Sequence, residues 1–315
     1  MIFVFGSARS GSTWLAKIFD SHPDLLYLHE PDITDRGLDL LPHWFDAAPS
    51  KAAVERACKY LRRLKAIRNA RTIGIRPFFA KSYRGIAAET AHLGFVYGAK
   101  VLEQSGLGRM ANKFYIPDLV GKSRSPRLVI KSVSALGRAE ALVSADKTMA
   151  PILLIRHPCG FVASMLRGAK QGVMTRAQGF GRMAMTRSAK RLGLNQSALD
   201  NNDDVAFLAW SWLVSNSEAQ AAVQHANGLI LDYDDVASDP TRHIRVVFER
   251  LQLGWPEQTQ KFISLSQQSE GDYYSVFRDS REAAQRWRSE LDNATIGKIR
   301  AIVERDPLGT RFFES

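Results

Sequence analysis

The sequence predicts an α/β fold, a central parallel β-sheet flanked by α-helices. Three observations predict it. Short, continuously apolar runs of strand length alternate with longer segments of helical spacing. Each of those runs ends in a polar or charged residue, the pattern of parallel strands whose carboxyl ends gather at one edge where ligands sit. The first run, moreover, passes through a short Gly/Ser loop directly into a helix.

That first unit is Ile2 to Phe5 as strand, Gly6 to Thr13 as loop, and a helix from Trp14 carrying Leu15, Ile18 and Phe19 on one side. Gly6 and Gly11 let the backbone turn tightly, so that successive N–H groups and the positive end of the helix point into one small space. Such a space binds an anionic phosphate. The fold is therefore expected to be of the P-loop type.

Later elements follow in order. His22-Pro23 stops the helix, and Leu25 to Leu28 form a buried strand closed by His29-Glu30-Pro31. A long basic helix is expected over Lys51 to Arg71, with Val54, Cys58, Leu61, Leu64 and Ile67 as its apolar stripe and Glu55 alone opposing its cations. One further helix with Gly and Ser breaks is expected between Pro77 and Ser125. Strands resume at Leu128–Ile130, closed by Lys131-Ser132, at Ile152–Ile155, closed by Arg156-His157-Pro158, and at Leu229–Leu231, closed by Asp232-Tyr233. The loop, Glu30, Lys131, Arg156 and Asp232 are thus expected to face one crevice.

From Phe161 to Leu199 there is no acidic residue, while Arg167, Lys170, Arg176, Arg182, Arg187, Lys190 and Arg191 alternate with Gly168, Gly172, Gly179 and Gly181. The first half reads as a poor helix, and the stretch as either a lid over an anionic site or an ordinary surface connection. Helices over Val205–Ala226, from Asp239-Pro240 to Leu251, and a final one carrying Trp287, Leu291 and Ile299 read as core.

Composition bounds the function. With 315 residues, 45% of them hydrophobic, the chain is long enough for one large domain, and a single domain over 1–315 is expected. A net charge of +11 favours anionic partners, among them nucleic acid, acidic lipid and small polyanions. Cys58 and Cys159, far apart and without a His/Cys cluster, argue against a disulfide framework or a structural zinc, and no metal is called for. The chain enters a strand at once and holds no run of about 20 apolar residues, so a cytoplasmic protein, peripheral to the membrane at most, is expected.

The loop has the glycine spacing of a nucleotide-triphosphate P-loop, yet Ser12 stands where that motif places lysine, and the cation is Arg9. Ala8-Arg-Ser-Gly-Ser-Thr-Trp14 resembles the 5′-phosphosulfate loop of sulfotransferases that use 3′-phosphoadenosine 5′-phosphosulfate (PAPS), in which carbohydrate-type members often carry arginine. Ile155 to Ser164 is similar to the family's 3′-phosphate motif, with Arg156 and Ser164 at its arginine-to-serine spacing. Asp232-Tyr-Asp-Asp235 resembles the family's Tyr-Glu-Asp segment, and Arg286-Trp-Arg288 a late motif. His157 departs from the usual aspartate and Cys159 from a frequent arginine, and 32–127 offers no match.

The resemblance implies a sulfotransferase with helical insertions, about 32–127 and 167–200, shaping the acceptor site. It implies that Ser7, Ala8, Arg9, Ser10, Gly11, Ser12 and Thr13 hold the 5′-phosphosulfate, that Arg156 and Ser164 hold the 3′-phosphate, that Trp14 or Tyr233 meets the adenine, and that Arg281 or Arg286 closes over the 3′ end. Lys131 is a further candidate for the sulfuryl oxygens. Leu28-His-Glu-Pro31 is similar to a segment whose glutamate is the base in carbohydrate-type and bacterial relatives. Physically, a carboxylate at a strand's C-terminal end beside a phosphate loop is positioned to take an acceptor's proton. Glu30 is the expected base, His29 the alternative, although strand alternation points His29 away from Glu30, and a purely structural Glu30, capping or pairing with an arginine, stays open. The expected acceptor is a sugar, glycolipid or other small-molecule hydroxyl, with an acidic membrane surface as a further contact and no nucleic acid. Two other readings remain: an ATP-dependent phosphotransferase with Asp232 on magnesium, and a non-catalytic basic module binding nucleic acid or membrane through Lys51–Arg71 and Arg167–Arg191.

Overall fold

The computed structural model describes residues 1–34, 41–172, 180–194, 203–268 and 279–314. Five strands form one parallel sheet: β1 (Ile2–Gly6), β2 (Leu25–His29), β3 (Arg127–Ser132), β4 (Ala150–Ile155) and β5 (Leu229–Asp232), in spatial order β2-β3-β1-β4-β5. The register sets Val4 beside Lys131, Gly6 beside Leu154, His29 beside Lys131 and Ile155 beside Asp232. The strand ends that the sequence marked as polar therefore do line one edge, with β1 and its loop in the middle.

The central strands β1 and β4 bury both faces, which is why their runs are apolar without alternation, whereas β5 at the sheet's edge is only half-buried. One face holds Phe3, Phe5, Ile130, Leu153 and Ile155, packed under α3 (Lys51–Ala66), α6 (Ala139–Ala145), α7 (Pro158–Lys170) and α10 (Asp204–His225). The other holds Ile2, Val4, Val129, Ile152 and Leu154 under α1 (Ser12–Asp20), α11 (Tyr233–Ser238), α12 (Pro240–Arg250) and α13 (Glu257–Ser266). Between β2 and β3 lie α2 (Pro31–Thr34), α3, α4 (Ile86–Leu102), a π-helical turn (Glu103–Leu107) and α5 (Gly108–Ala111). There Val96, Ala99, Ala111 and Ile116 make a small core of their own. The remaining helices are α8 (Phe180–Met183), α9 (Arg187–Leu192), α14 (Ser280–Gln285), α15 (Trp287–Glu290), α16 (Asn293–Val303) and α17 (Pro307–Thr310). No helix among the described residues is long and apolar enough to cross a membrane.

Four expectations need correction. The basic helix stops at Ala66, because Ile67 is extended and Arg68 turns away to bond Asp118. Its buried stripe is Ala53, Ala57, Tyr60, Leu61 and Leu64, so Val54 and Cys58 sit at the margin, and Asp146, paired with Lys65, joins Glu55 in opposing its cations. Secondly, the glycine-rich stretch opens as the helix α7, which runs through Gly168 because Cys159, Phe161, Val162 and Ala163 are buried, and tertiary packing outweighs glycine's weak propensity. Thirdly, residues 180–194 are packed into the core through Met183, Ala189, Leu192 and Leu194, with Arg187 on Glu140 and Arg191 on Asp306; Arg176 and Gly179 lie outside the described residues. Lastly, the expected final helix is two helices, α15 and α16, since Leu291 is extended and Asp292 caps a fresh start by accepting from Thr295 N–H.

The two central layers are joined at Trp212, fully buried on α10, whose Nε1 donates to the Arg156 carbonyl at 2.8 Å. Trp212→Phe keeps an aromatic ring but strands that carbonyl. Chemical denaturation should show a loss of about 1–3 kcal/mol, and an unchanged midpoint would mean that the bond contributes nothing.

Candidate functional site

The loop after β1 is shaped by two left-handed residues, Arg9 (φ 67°) and Gly11 (φ 89°). Gly11 cannot be replaced cheaply: a Cβ there lies 2.3 Å from the Tyr233 ring. It also caps α1 without a side chain, so no side-chain acceptor occupies the N–H groups of the first turn, which lie at the positive end of the helix. Ser10 is buried, and its Oγ has no hydrogen-bond partner among the described residues. The cradle thus has donors to offer to a bound anion.

The second motif meets the first here. Arg9 Nε donates to Ser164 Oγ at 3.1 Å, and Arg156 Nη1 donates to the Arg9 carbonyl at 3.0 Å. Arg156, 8% exposed, also donates through Nη2 to the Ala283 carbonyl and lies over the Tyr233 ring at 5.2 Å. Its Nε has no partner among the described residues. Burial lowers its pKa, opposed by Tyr233 and Asp234, and no carboxylate within hydrogen-bonding distance of it is seen among the described residues. A guanidinium held by two carbonyls and a ring keeps its charge available to an anion.

On the other side of the loop, Lys131 at the end of β3 is 1% exposed and donates to both Thr13 Oγ1, at 3.2 Å, and Glu30 Oε1. Burial pushes its pKa down and Glu30 pushes it back up. Glu30 is paired, but with this lysine and not with an arginine. Its backbone, at φ 44°, donates to the Lys131 carbonyl at 2.8 Å. That left-handed turn breaks strand alternation and corrects the expectation for His29, whose Nε2 comes within 4.0 Å of Glu30 Oε2. Burial, then Lys131, holds the His29 pKa well below its usual value, and its Nδ1 shares a 2.8 Å hydrogen bond with Tyr27 Oη. The ring is therefore neutral at ordinary pH.

Of the other named residues, Trp14 is core: it is buried, its Nε1 donates to Ser266 Oγ at 3.1 Å, and it meets Tyr233 edge-on. Tyr233 lies between Gly11 and Arg156. Ser7 and Ser12 are buried in the loop, with Ala8 and Thr13 half-buried beside them. Arg281 and Arg286 are exposed on and just after α14, Arg286 paired with Glu282 at 2.9 Å, on the same helix whose Ala283 carbonyl holds Arg156. Asp232 pairs with Arg311, and burial raises its pKa to about 6, a poor start for a magnesium ligand. Sequence reasoning missed Asp32: it is buried, Oδ2 accepts from Ser132 and Ser134, and Oδ1 has no partner among the described residues. Its signal was a carboxylate two residues past Glu30, facing a strand that ends Lys-Ser-Val-Ser. Among the described residues no group of three or more His, Cys, Asp or Glu is arranged for a metal ion.

Residues 2–257 match the model of the sulfotransferase family. A search of curated proteins finds no match. Among solved structures, the chain is similar to the sulfotransferase domain of the Synechococcus PCC 7002 olefin synthase, at 19% identity and TM-score 0.46 over 96% of this chain and 93% of that one. It is similar to a sulfotransferase from Alicyclobacillus acidocaldarius, at 13% identity and TM-score 0.41 over 98% of both. A mouse sulfotransferase complexed with PAP matches at 11% identity and TM-score 0.46 over 99% of this chain and 88% of that one.

His157, the departure next to Arg156, is a structural residue. It stacks on Trp287 at 4.5 Å, its Nδ1 accepts from Cys159 N–H, its Nε2 meets the Phe312 carbonyl at 3.1 Å, and burial pushes its pKa down to about 4. Below its ordinary value of 6.5 the unfolded chain takes up a proton that the folded chain refuses until about pH 4. Stability should therefore fall between these limits, by roughly 3 kcal/mol in total. His157→Gln should lose that part of the acid dependence, read as a smaller difference between denaturation midpoints at neutral and acid pH. An acid slope equal to wild type would assign the sensitivity to other groups.

Proposed function

This chain belongs to the sulfotransferase family, and we propose that it transfers a sulfuryl group from PAPS to a hydroxyl on a sugar, glycolipid or other small molecule. The observation that carries the donor assignment is the meeting of the two motifs, Arg9 on Ser164 and Arg156 on the Arg9 carbonyl. A ligand bound there bridges the loop and the end of β4, and a ribose phosphorylated at both the 5′ and 3′ positions has the charges to do so. We propose one catalytic domain over 1–315, acting in the cytoplasm, with the insertions about 32–127 and 167–200 forming the acceptor side.

In this reading the N–H groups from Ser7 to Thr13 hold the 5′ end, Arg156 and Ser164 hold the 3′-phosphate, and Tyr233 contacts the adenine. Arg281 or Arg286 closes over the 3′ end. Glu30 accepts the proton as the acceptor oxygen forms its bond to sulfur and the bond from sulfur to the 5′-phosphate oxygen breaks. Charge growing on that bridging oxygen is stabilised by Arg9 and the start of α1. Arginine stays protonated, so Arg9 clamps and does not donate a proton. Lys131 keeps the Glu30 carboxylate oriented beside the sulfuryl oxygens, and the neutral His29 supports it from the other oxygen.

Calorimetry with adenosine 3′,5′-bisphosphate, without metal, should give saturable binding. Arg156→Lys, which retains charge but not the fork, should weaken it by about 10- to 100-fold, the size of lost charged hydrogen bonds; unchanged affinity would remove Arg156 from the site, and no wild-type binding would remove the donor. Glu30→Gln should leave that affinity within about twofold and lower sulfuryl transfer by about 100-fold or more. Near-normal turnover would move the base to His29 or elsewhere.

A further inference from the structure

The insertion between β2 and β3, assigned above to the acceptor side, also carries an outward surface to which no residue role proposed above is given. Helix α4 buries only His92, Val96 and Ala99. Its remaining surface is apolar: from Thr90 to Ala99 there is no Asp, Glu, Lys or Arg, and Ile86 (91% exposed), Phe95, Tyr97 and Val101 (64%) face outward. Gly94 and Gly98 lie on the open side, with nothing within 4 Å of where a Cβ would stand. The segment that follows packs Ala111 and Ile116 against α4 and presents Met110, Phe114 and Tyr115 (66%). Most of the large exposed apolar side chains among the described residues fall in this one insertion, whereas soluble surfaces normally scatter them.

The charge around the patch selects its partner. Its acids are neutralised internally: Glu89 by Arg84, Glu103 by Lys100, and Asp118 by Arg68. The exposed cations Arg76, Lys113, Lys122 and Arg124 have no ion-pair partner among the described residues. They surround the face. Arg76 stacks on Tyr97 at 5.3 Å, Lys113 follows α5, and the Gly121 turn before Lys122 donates to the Tyr83 carbonyl beside the start of α4. Aromatic and aliphatic side chains with unpaired cations at their margin fit the boundary between headgroups and acyl chains of an anionic bilayer. A second copy would bring the same four cations face to face, a like-charge cost.

We infer that the face formed by residues 86–115 docks this protein on an anionic phospholipid surface. The inference does not depend on the donor or base proposed above. Its test is co-sedimentation of the full chain with vesicles of phosphatidylcholine alone, or with about a third phosphatidylglycerol. The chain should pellet with the anionic vesicles only and be released as salt shortens the screening length. The double substitution Ile86→Asp/Val101→Asp, at positions outside the core, should abolish binding. Lys113→Glu/Arg124→Glu should weaken it by about 30-fold or more, and Lys59→Glu/Arg62→Glu on the exposed side of α3 should change it by less than about twofold. Four results would overturn the inference: no pelleting with either vesicle, equal pelleting with both, loss in the α3 variant with the 86–115 variants unaffected, or a dimer by analytical ultracentrifugation that Ile86→Asp/Val101→Asp dissolves.

Discussion

Arg156 is the residue on which the most separate parts converge. Its carbonyl is taken by Trp212 of α10, its guanidinium by the carbonyls of Arg9 and Ala283, and its planar face by Tyr233, which in turn blocks any Cβ at Gly11. Loop, both helical layers and the C-terminal segment are thereby referred to one side chain at the end of one strand. A buried cation is costly unless its donors are satisfied, and here two of its three nitrogens are. The third, Nε, has no partner among the described residues. The fold thus holds this charge in place with one donor unanswered among the described residues.

The sheet was legible because its strands are buried on both faces. Ile2–Phe5, Leu128–Ile130 and Ile152–Ile155 are unbroken apolar runs, and Gly6, Lys131 and Arg156 mark where each one ends. Helix boundaries were less legible, for three physical reasons. Helix α3 buries Ala53 and Ala57, the latter in the core shared with α6, small residues that a stripe of Val, Cys and Leu overlooks. Helix α7 keeps Gly160 and Gly168 because burial of its neighbours outweighs their entropy. The C-terminal helices divide at Asp292, a cap whose acceptor role is recognisable only when Thr295 N–H is seen to bond it.

In the site, residues set by motif spacing were found together, and those set by local backbone were misjudged. Arg9 lies far in sequence from Arg156 and Ser164 yet bonds both, as parallel strands ending at one edge allow. His29 was expected to point away from Glu30 by alternation, but alternation ends with the strand, and a φ of 44° at Glu30 turns its carboxylate back toward the imidazole and Lys131. A single left-handed non-glycine residue cannot be read from sequence. Asp32 was hidden for a related reason. Its partners, Ser132 at the end of β3 and Ser134 just after it, become visible only once β2 and β3 are paired.

The two halves of the site differ in how their charge is matched. On the Glu30 side Lys131 is answered by a carboxylate, so removing either partner alone would leave a buried charge uncompensated, a larger loss than replacing both. On the Arg156 side the hydrogen bonds seen among the described residues go to carbonyl dipoles, with a ring over the guanidinium, and among those residues the Ser10 hydroxyl in the neighbouring loop has no partner. One half is electrostatically closed and the other open. Asp234 acts on that guanidinium only through space, opposing the effect of burial with no hydrogen bond to it among the described residues. A net charge of +11 read from composition is thus not spread evenly: at the sheet edge Arg156 and Lys131 are buried and fixed by hydrogen bonds, whereas on the insertion Arg76, Lys113, Lys122 and Arg124 are exposed beside an apolar face.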